Sequence, residues 1–186
     1  TYEIDKKYPY PFIKVSDERT IQKDFLNVNY SIGVNIDIFP IDGLPSSSVK
    51  SDRIMREAMI LKKIFEIKWQ KIKKDREVYK NLILIAVKPF FKIFSIKFLL
   101  NRFTKLTSKY DYNTSDYIGN IVWGYGIRER CEKECYEEYF RVDFEKNSFY
   151  TMKGYDKYLR NVFGDYLQLP PVEKQVSNHS FKAYMK

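Results

Sequence analysis

Residues 32–45 read IGVNIDIFPIDGLP. Side chains on a strand point alternately to its two faces, so a period of two marks a strand with one covered side. Here Ile32, Val34, Ile36 and Ile38 alternate with Gly33, Asn35 and Asp37. The pattern predicts a half-buried strand over 32–39, with the four aliphatic residues on the core face. Asn35 and Asp37 share the other face. Pro40 has no amide proton for a ladder and halts the strand, and Asp42-Gly43 supplies a turn. Asp37 is then a carboxylate held by stiff backbone near a strand end, as a metal-dependent site requires of its ligands. An Asp37 that faces solvent, or that caps the following turn, satisfies the same pattern.

The rest of the chain reads as a mixture of helices and short strands. Residues 10–15 predict a short strand, and Ser16-Asp17-Glu18 opens a turn or a helical start. The serines at 46–48 can cap a helix. Ile54, Ala58, Leu61, Phe65, Trp69 and Ile72 then recur at helical spacing, which predicts a long amphipathic helix. Residues 82–100, LILIAVKPFFKIFSIKFLL, are strongly apolar. Three lysines and Pro89 argue against a bilayer span there, and Pro89 should kink or divide the helix. On a helical wheel Asn81, Lys88, Lys92, Ser95 and Arg102 form a narrow polar stripe. That stripe beside a wide apolar face fits core packing, a partner helix or an anionic membrane surface. Trp123-Gly124-Tyr125-Gly126 reads as a turn flanked by core aromatics, or as rings beside a pocket. Phe140, Val142 and Phe144 alternate and predict one arm of a hairpin that turns at 145–148. Residues 155–163 predict a helix that Gly164 ends in a left-handed conformation. No repeat or low-complexity linker interrupts residues 1–186, which read as one domain.

Charge is unevenly placed. The chain has 33 basic and 24 acidic residues, for a net +9. Residues 50–109 hold 17 of the basic and five of the acidic residues, a net +12, so the remainder is net −3. Such a patch attracts phosphates on nucleic acid, lipid or glycan, or forms a solvated helical face. Its aromatics sit mostly at apolar helical positions, not on an exposed stacking platform, which ranks nucleic acid last. Cys131 and Cys135, the two cysteines, would share one side of a helix, poorly placed for a disulfide. They read as structural thiols of a reducing compartment, and zinc would need further ligands. Sixteen tyrosines and fourteen phenylalanines can fill a core, but buried tyrosine hydroxyls will need polar partners.

Three segments resemble the LicD family of phosphorylcholine transferases. IDIFPIDGLP at 36–45 is similar to that family's IDIFPLDGLP. YPFIKVSDERT at 10–20 is similar to its aromatic-Lys-hydrophobe-x-Asp-x-x-Thr element. YDKYLRNVFGDYLQLPP at 155–171 is close to its YDxYLxxxYGDYMxxPP, with Glu173, Lys174 and His179 following. The segments occur in family order and span most of the chain, whereas 50–110 matches only in character.

The resemblance implies an α+β chain of nucleotidyltransferase-like fold: a mixed sheet carrying Asp37, packed by helices, with a helical C-terminal part. It implies transfer of phosphorylcholine, or a similar phosphorylated alcohol, from a CDP-linked donor to a hydroxyl of a cell-surface or lipid-linked glycan. Phosphoribitol transferases of the fukutin type share the general pattern, so the donor group stays open. Mg²⁺ or Mn²⁺ is the implied cofactor, with Asp37 as the third carboxylate of the metal set and the catalytic residue. The first two carboxylates, an Asp-x-Asp element of the PWDDDID type, should precede Tyr10 and are absent there. The expectation is therefore a chain that lacks the N-terminal part of its catalytic domain. Lys14, Asp17, Asp42, Glu145, Asp165 and His179 are the further candidates for substrate binding. Lys14 would meet a donor phosphate or pair with Asp17, and Asp42 is also explained by its turn. The expected location is the cytoplasm, peripheral on the inner face of the cell membrane of a bacterium. The alternative is a non-catalytic module of the same fold that holds a glycan or a membrane surface.

Overall fold

The computed structural model describes residues 8, 10–23, 32–70, 72, 76–176 and 182–186. The fold is α+β, with five α-helices and nine short strands among the described residues. The chain sorts into two compact units: residues 1–39, 60–104 and 176–186, and residues 40–59 and 105–175. In place of one mixed sheet, the described strands form four small antiparallel sheets.

In the first unit, β1 (Ile13–Ser16) pairs with β3 (Asn35–Ile38), placing Lys14 opposite Asp37 and Val15 opposite Ile36. β2 (Thr20–Lys23) pairs with β9 (Lys182–Met185). The expected strand at 32–39 is shorter, and its faces are reversed. Ile32 is buried, but Val34, Ile36 and Ile38 are exposed, as are Ile13 and Val15 across the ribbon. The covered face belongs to the aromatic residues. The Phe12 ring lies 5.2 Å from that of Tyr10 and 4.6 Å from that of Phe39. Aromatic rings bury more area per residue than Ile or Val, so a ribbon with one face to cover gains more by covering theirs. Gly33 is demanded by a close approach: a Cβ there would collide with the Asp17 carbonyl oxygen and lie 2.7 Å from Thr20 Oγ1.

α1 (Ser48–Trp69) begins where the serines predict, since Ser47 Oγ accepts the Lys50 amide at 3.4 Å. Ile54, Ala58, Leu61 and Phe65 are buried as their spacing requires, whereas Ile72 lies beyond the helix and is exposed. The apolar run at 82–100 divides after Pro89 into α2 (Val78–Phe91) and α3 (Ile96–Thr107). Proline removes one helical donor and crowds the preceding turn. The Lys92 amide closes the last turn of α2 on the Pro89 carbonyl at 3.2 Å. Ser95, expected in a polar stripe, instead caps α3 by accepting the Phe98 amide at 3.0 Å. Lys88 also leaves the stripe, for its Nζ turns inward to the Gln70 carbonyl at 2.7 Å. Lys68 Nζ meets the Phe91 carbonyl at 3.1 Å, so lysines cap the ends of both α1 and α2. Burial pushes the Lys68 pKa down.

In the second unit, β4 (Asp42–Leu44), β5 (Tyr117–Gly119) and β6 (Cys131–Glu132) form a sheet with β5 at its centre. Asp42-Gly43 is thus strand, not turn. Gly43 is explained by crowding instead: a Cβ there would lie 2.6 Å from Ser115 Oγ and 2.7 Å from the Asp111 carbonyl oxygen. Leu44, Met55, Ile118 and Val162 are buried in this unit. α4 (Glu134–Glu137) holds Cys135, while Cys131 lies on β6, so the two cysteines do not share a helix. Both thiols are free and buried, and their sulfurs are 2.8 Å apart. The hairpin of β7 (Tyr139–Phe144) and β8 (Asn147–Met152) forms as read, with a tighter turn at Glu145-Lys146. α5 (Tyr155–Phe163) ends at Gly164, whose φ of 74° is positive as expected, with ψ at −129°. The C-terminal part holds the hairpin, α5, a 3-10 turn at Val172–Lys174 and β9, so it is helical only in part. No helix among the described residues is long and apolar enough to cross a membrane.

Candidate active site

The pairing of β1 with β3 puts Lys14 and Asp37 side by side, 23 residues apart in sequence. The Lys14 ammonium binds Asp37 Oδ1, and the Asn35 side-chain amide donates to the same oxygen at 2.9 Å. No described residue reaches Oδ2. The Lys14 side chain is 4% exposed and that of Asp37 is 32% exposed. The ammonium also lies 4.6 Å from the centre of the Tyr10 ring and 5.2 Å from that of Phe12. The lysine is thus roofed by aromatic rings, and the aspartate is the accessible half of the pair. A buried ammonium needs an anion beside it, so Lys14 fixes the position of the carboxylate. Lys14 does not pair with Asp17, because Asp37 takes its charge.

Asp17 has its own partner. Its carboxylate accepts the Arg19 amide at 2.9 Å, Arg19 Nε at 3.0 Å and Arg19 Nη2 at 2.8 Å. The Arg19 side chain, with its backbone amide, holds the Asp17 pKa down at about 2. The Asp17 carbonyl accepts the Thr20 hydroxyl at 2.9 Å, and the Thr20 oxygen accepts the Val34 amide at 2.8 Å. Asp17 and Thr20 therefore tie the turn after β1 to the start of β3.

Asp42, Glu145 and Asp165 belong to the second unit. Asp42 is half-buried on β4, and no hydrogen bond reaches its buried Oδ2. Burial pushes its pKa up to about 6. Glu145 is exposed in the hairpin turn at a φ of 53°. Asp165 is exposed just after α5, where its carbonyl accepts the Gln168 amide at 3.2 Å. No hydrogen bond or ion pair among the described residues joins Asp42, Glu145 and Asp165. His179 lies outside the described residues.

One buried carboxylate escaped the sequence reading. Glu129 is 1% exposed, in a short 3-10 helix at Gly126–Glu129. Its Oε1 accepts the Tyr125 amide at 2.9 Å and its Oε2 accepts the Tyr158 hydroxyl at 2.8 Å. The Tyr158 ring meets that of Tyr136 edge to face, 5.9 Å between centres, and burial raises both phenol pKa values. Gly124 makes room, since a Cβ there would lie 2.5 Å from Glu129 Cγ. Beside it, the Arg130 guanidinium lies 3.3 Å from the centre of the Tyr117 ring and donates to the Ser46 carbonyl at 2.7 Å and Ser51 Oγ at 3.2 Å. These groups satisfy one another and form a scaffold. The abundance of tyrosine was the available signal, because buried phenols need such partners.

A Mg²⁺ or Mn²⁺ ion takes about six oxygen ligands, carboxylates foremost. Around Asp37 the described residues offer one carboxylate, already carrying an ammonium, so they do not build that site. Among the described residues the group of three possible ligands that converges is Cys131, Glu132 and Cys135, whose ligand atoms lie within 4.8 Å of one another. Its thiols are soft ligands, Glu132 is bound by Lys157 Nζ at 2.7 Å, and burial pushes the Cys131 pKa up to about 12.

Comparison with known proteins agrees with the resemblance read from the three segments. The chain is 27% identical over 155 residues to the lipopolysaccharide cholinephosphotransferase LicD of Haemophilus influenzae. The match covers 81% of this chain and 56% of that protein, so the chain spans little more than half of its relative's length. It supports membership of the LicD family. No family model and no solved structure matches.

Proposed function

We propose that this protein is a transferase that moves phosphorylcholine, or a similar phosphorylated alcohol, from a CDP-linked donor to a glycan hydroxyl. The observation that carries the reading is the match, over 81% of the chain, to an enzyme named for cholinephosphate transfer to lipopolysaccharide. Asp37 supports it, as the carboxylate of the most family-like segment and the accessible member of a fixed ion pair. In the transfer, the acceptor oxygen bonds to the choline-bearing phosphorus and the bond to the CMP oxygen breaks. The acceptor proton passes to the Asp37 carboxylate. Lys14 and Asn35 position that carboxylate through Oδ1 and leave Oδ2 for the hydroxyl. A requirement for Mg²⁺ or Mn²⁺ belongs to the proposal, as does peripheral attachment to an anionic membrane where a lipid-linked acceptor would be met.

The test is release of CMP from CDP-choline with a glycan acceptor, with each metal added and then chelated. Replacing Asp37 alone strands the Lys14 ammonium, so the decisive variant combines Lys14→Met with Asp37→Asn. It should fold with wild-type cooperativity and lose turnover by roughly 10²–10⁴-fold, the usual worth of a general base. Wild-type turnover in that folded variant would remove Asp37 from the mechanism.

A further inference from the structure

We propose that α2, the turn after it and the first residues of α3 form a face that lies on an anionic lipid bilayer. The observation is that α2 is amphipathic with its apolar side outward. Val78, Leu82, Ile83, Ile85 and Phe90 share one broad arc of the helix and are all exposed, Leu82 by 60% and Phe90 by 70%. Ile93, just past the helix end, is exposed by 82%. On the opposite side of α2, beside buried Leu84, Lys88 turns inward to the Gln70 carbonyl at 2.7 Å. An apolar arc of this width facing outward calls for an apolar cover.

Charge decides which cover. Between Glu77 and Asp111 the sequence has seven basic residues and no acidic one. Lys92 and Lys97 are exposed on the turn and the first turn of α3 that follow the apolar arc. A second copy of this chain would bring the same cations to the same seam and repel. An anionic bilayer answers both features, with acyl chains for the apolar arc and headgroup phosphates for the lysines. The helix is 14 residues long, about 21 Å at 1.5 Å per residue, so it lies in the interface rather than spanning a hydrocarbon core of about 30 Å.

The proposal sharpens the membrane part of the functional reading. Its test needs neither donor nor acceptor, so failure here leaves the transferase chemistry standing, and failure of turnover leaves this face standing. Co-sedimentation should show binding to phosphatidylcholine vesicles containing about one-third phosphatidylglycerol, weakened by added salt, and little binding to phosphatidylcholine alone. Ile83→Gln with Phe90→Gln should weaken binding by about tenfold or more, since two apolar anchors are lost. Lys92→Glu with Lys97→Glu should do the same and abolish the salt dependence. Both variants change exposed side chains, and circular dichroism should show the helices unchanged. Equal binding to both vesicle types, no binding to either, or wild-type binding by the Ile83→Gln, Phe90→Gln variant would overturn the proposal. So would a dimer, seen by light scattering, that this same variant dissociates, because that outcome gives the face to a second copy.

Discussion

The sheets of the two compact units cover their side chains differently. In the unit of β4, β5 and β6, aliphatic residues such as Leu44 and Ile118 are buried, and the buried polar groups satisfy one another around Glu129 and Arg130. In the other unit Leu61 and Leu99 are buried, but the aliphatic residues of the β1–β3 ribbon and of one arc of α2 face outward, Ile36 by 66%, while lysines 14 and 88 turn inward. The first arrangement is that of a scaffold, closed to solvent around its central sheet. The second leaves an ion pair half open and a broad apolar surface uncovered, which is where binding and chemistry have room to occur. Stability measurements can break this contrast, because the two arrangements respond differently to loss of a side chain.

The largest effect is expected at Glu129. Glu129→Ala leaves the Tyr158 hydroxyl and the Tyr125 amide without their acceptor and opens a buried space. Such losses cost roughly 3–5 kcal/mol. Glu129→Gln keeps one acceptor oxygen and should cost about half as much. Denaturant unfolding of the two variants checks this, and a loss under about 1 kcal/mol in the alanine variant would mean the network is not a scaffold.

The ion pair of the other unit should respond less, and in a way that depends on both partners. Asp37→Asn leaves the Lys14 ammonium under its aromatic roof without a full counter-charge, at about 1–3 kcal/mol. Lys14→Met should cost less, because Asp37 is accessible enough to be hydrated. The double variant should regain most of the loss, giving a coupling of about 1–2 kcal/mol in a double-mutant cycle. Additive losses would show that the two side chains do not depend on each other in solution.

Periodicity made much of this structure legible and left one thing open. The buried face of α1, the Ser47 cap, the division after Pro89, the hairpin and the positive φ of Gly164 all follow from local rules. Those rules act within a turn or two of chain. Which face of an amphipathic element is covered depends on what packs against it, and β3 and α2 both carry their aliphatic face outward. The partner of Lys14 was hidden for the same reason: Asp17 is three residues away, but the β1–β3 register delivers Asp37. Glu129 was hidden by its neighbours, for the run RERCEKECYEE reads as a solvated surface. Asp42 was misread because Asp-Gly is a common turn pair, whereas here the glycine serves a close approach inside a sheet.

Asp42 supplies a pH dependence of its own. Burial raises its pKa to about 6, above its ordinary value of 3.8. The folded state therefore holds more protons than the unfolded state between those values, and stability falls as pH rises through that window. Below about pH 4 both states are protonated and the penalty is absent, whereas above about pH 6 it is complete. With allowance for partial solvent exposure, the penalty is on the order of 1–2 kcal/mol. Melting points taken between pH 4 and 7.5 should show this decline superimposed on other titrations. Asp42→Asn should remove that component and raise stability at neutral pH. A profile identical in the two proteins would show that Asp42 is solvated, and the closure of its unit would be less complete than described.

The smallest effect sharpens the comparison most. A residue that packs in a core cannot be exchanged for glutamine cheaply, because an apolar contact is lost and a polar group is buried. Ile118→Gln, on the central strand of the closed unit, should therefore cost several kcal/mol, roughly 3–5 by the usual scale of core changes. Ile83 and Phe90 face outward on α2, where glutamine meets water and no packing is lost. Glutamine also has the higher helix propensity, by a few tenths of a kcal/mol per residue. Ile83→Gln and Phe90→Gln should then change unfolding free energy by less than about 0.5 kcal/mol, toward stabilisation if at all. Chemical denaturation of the three variants side by side is the measurement. If the α2 substitutions cost as much as Ile118→Gln, the helix is packed in solution, and the outward apolar face, with the membrane surface argued from it, does not exist. If they cost nothing while vesicle binding drops, α2 serves binding and not folding.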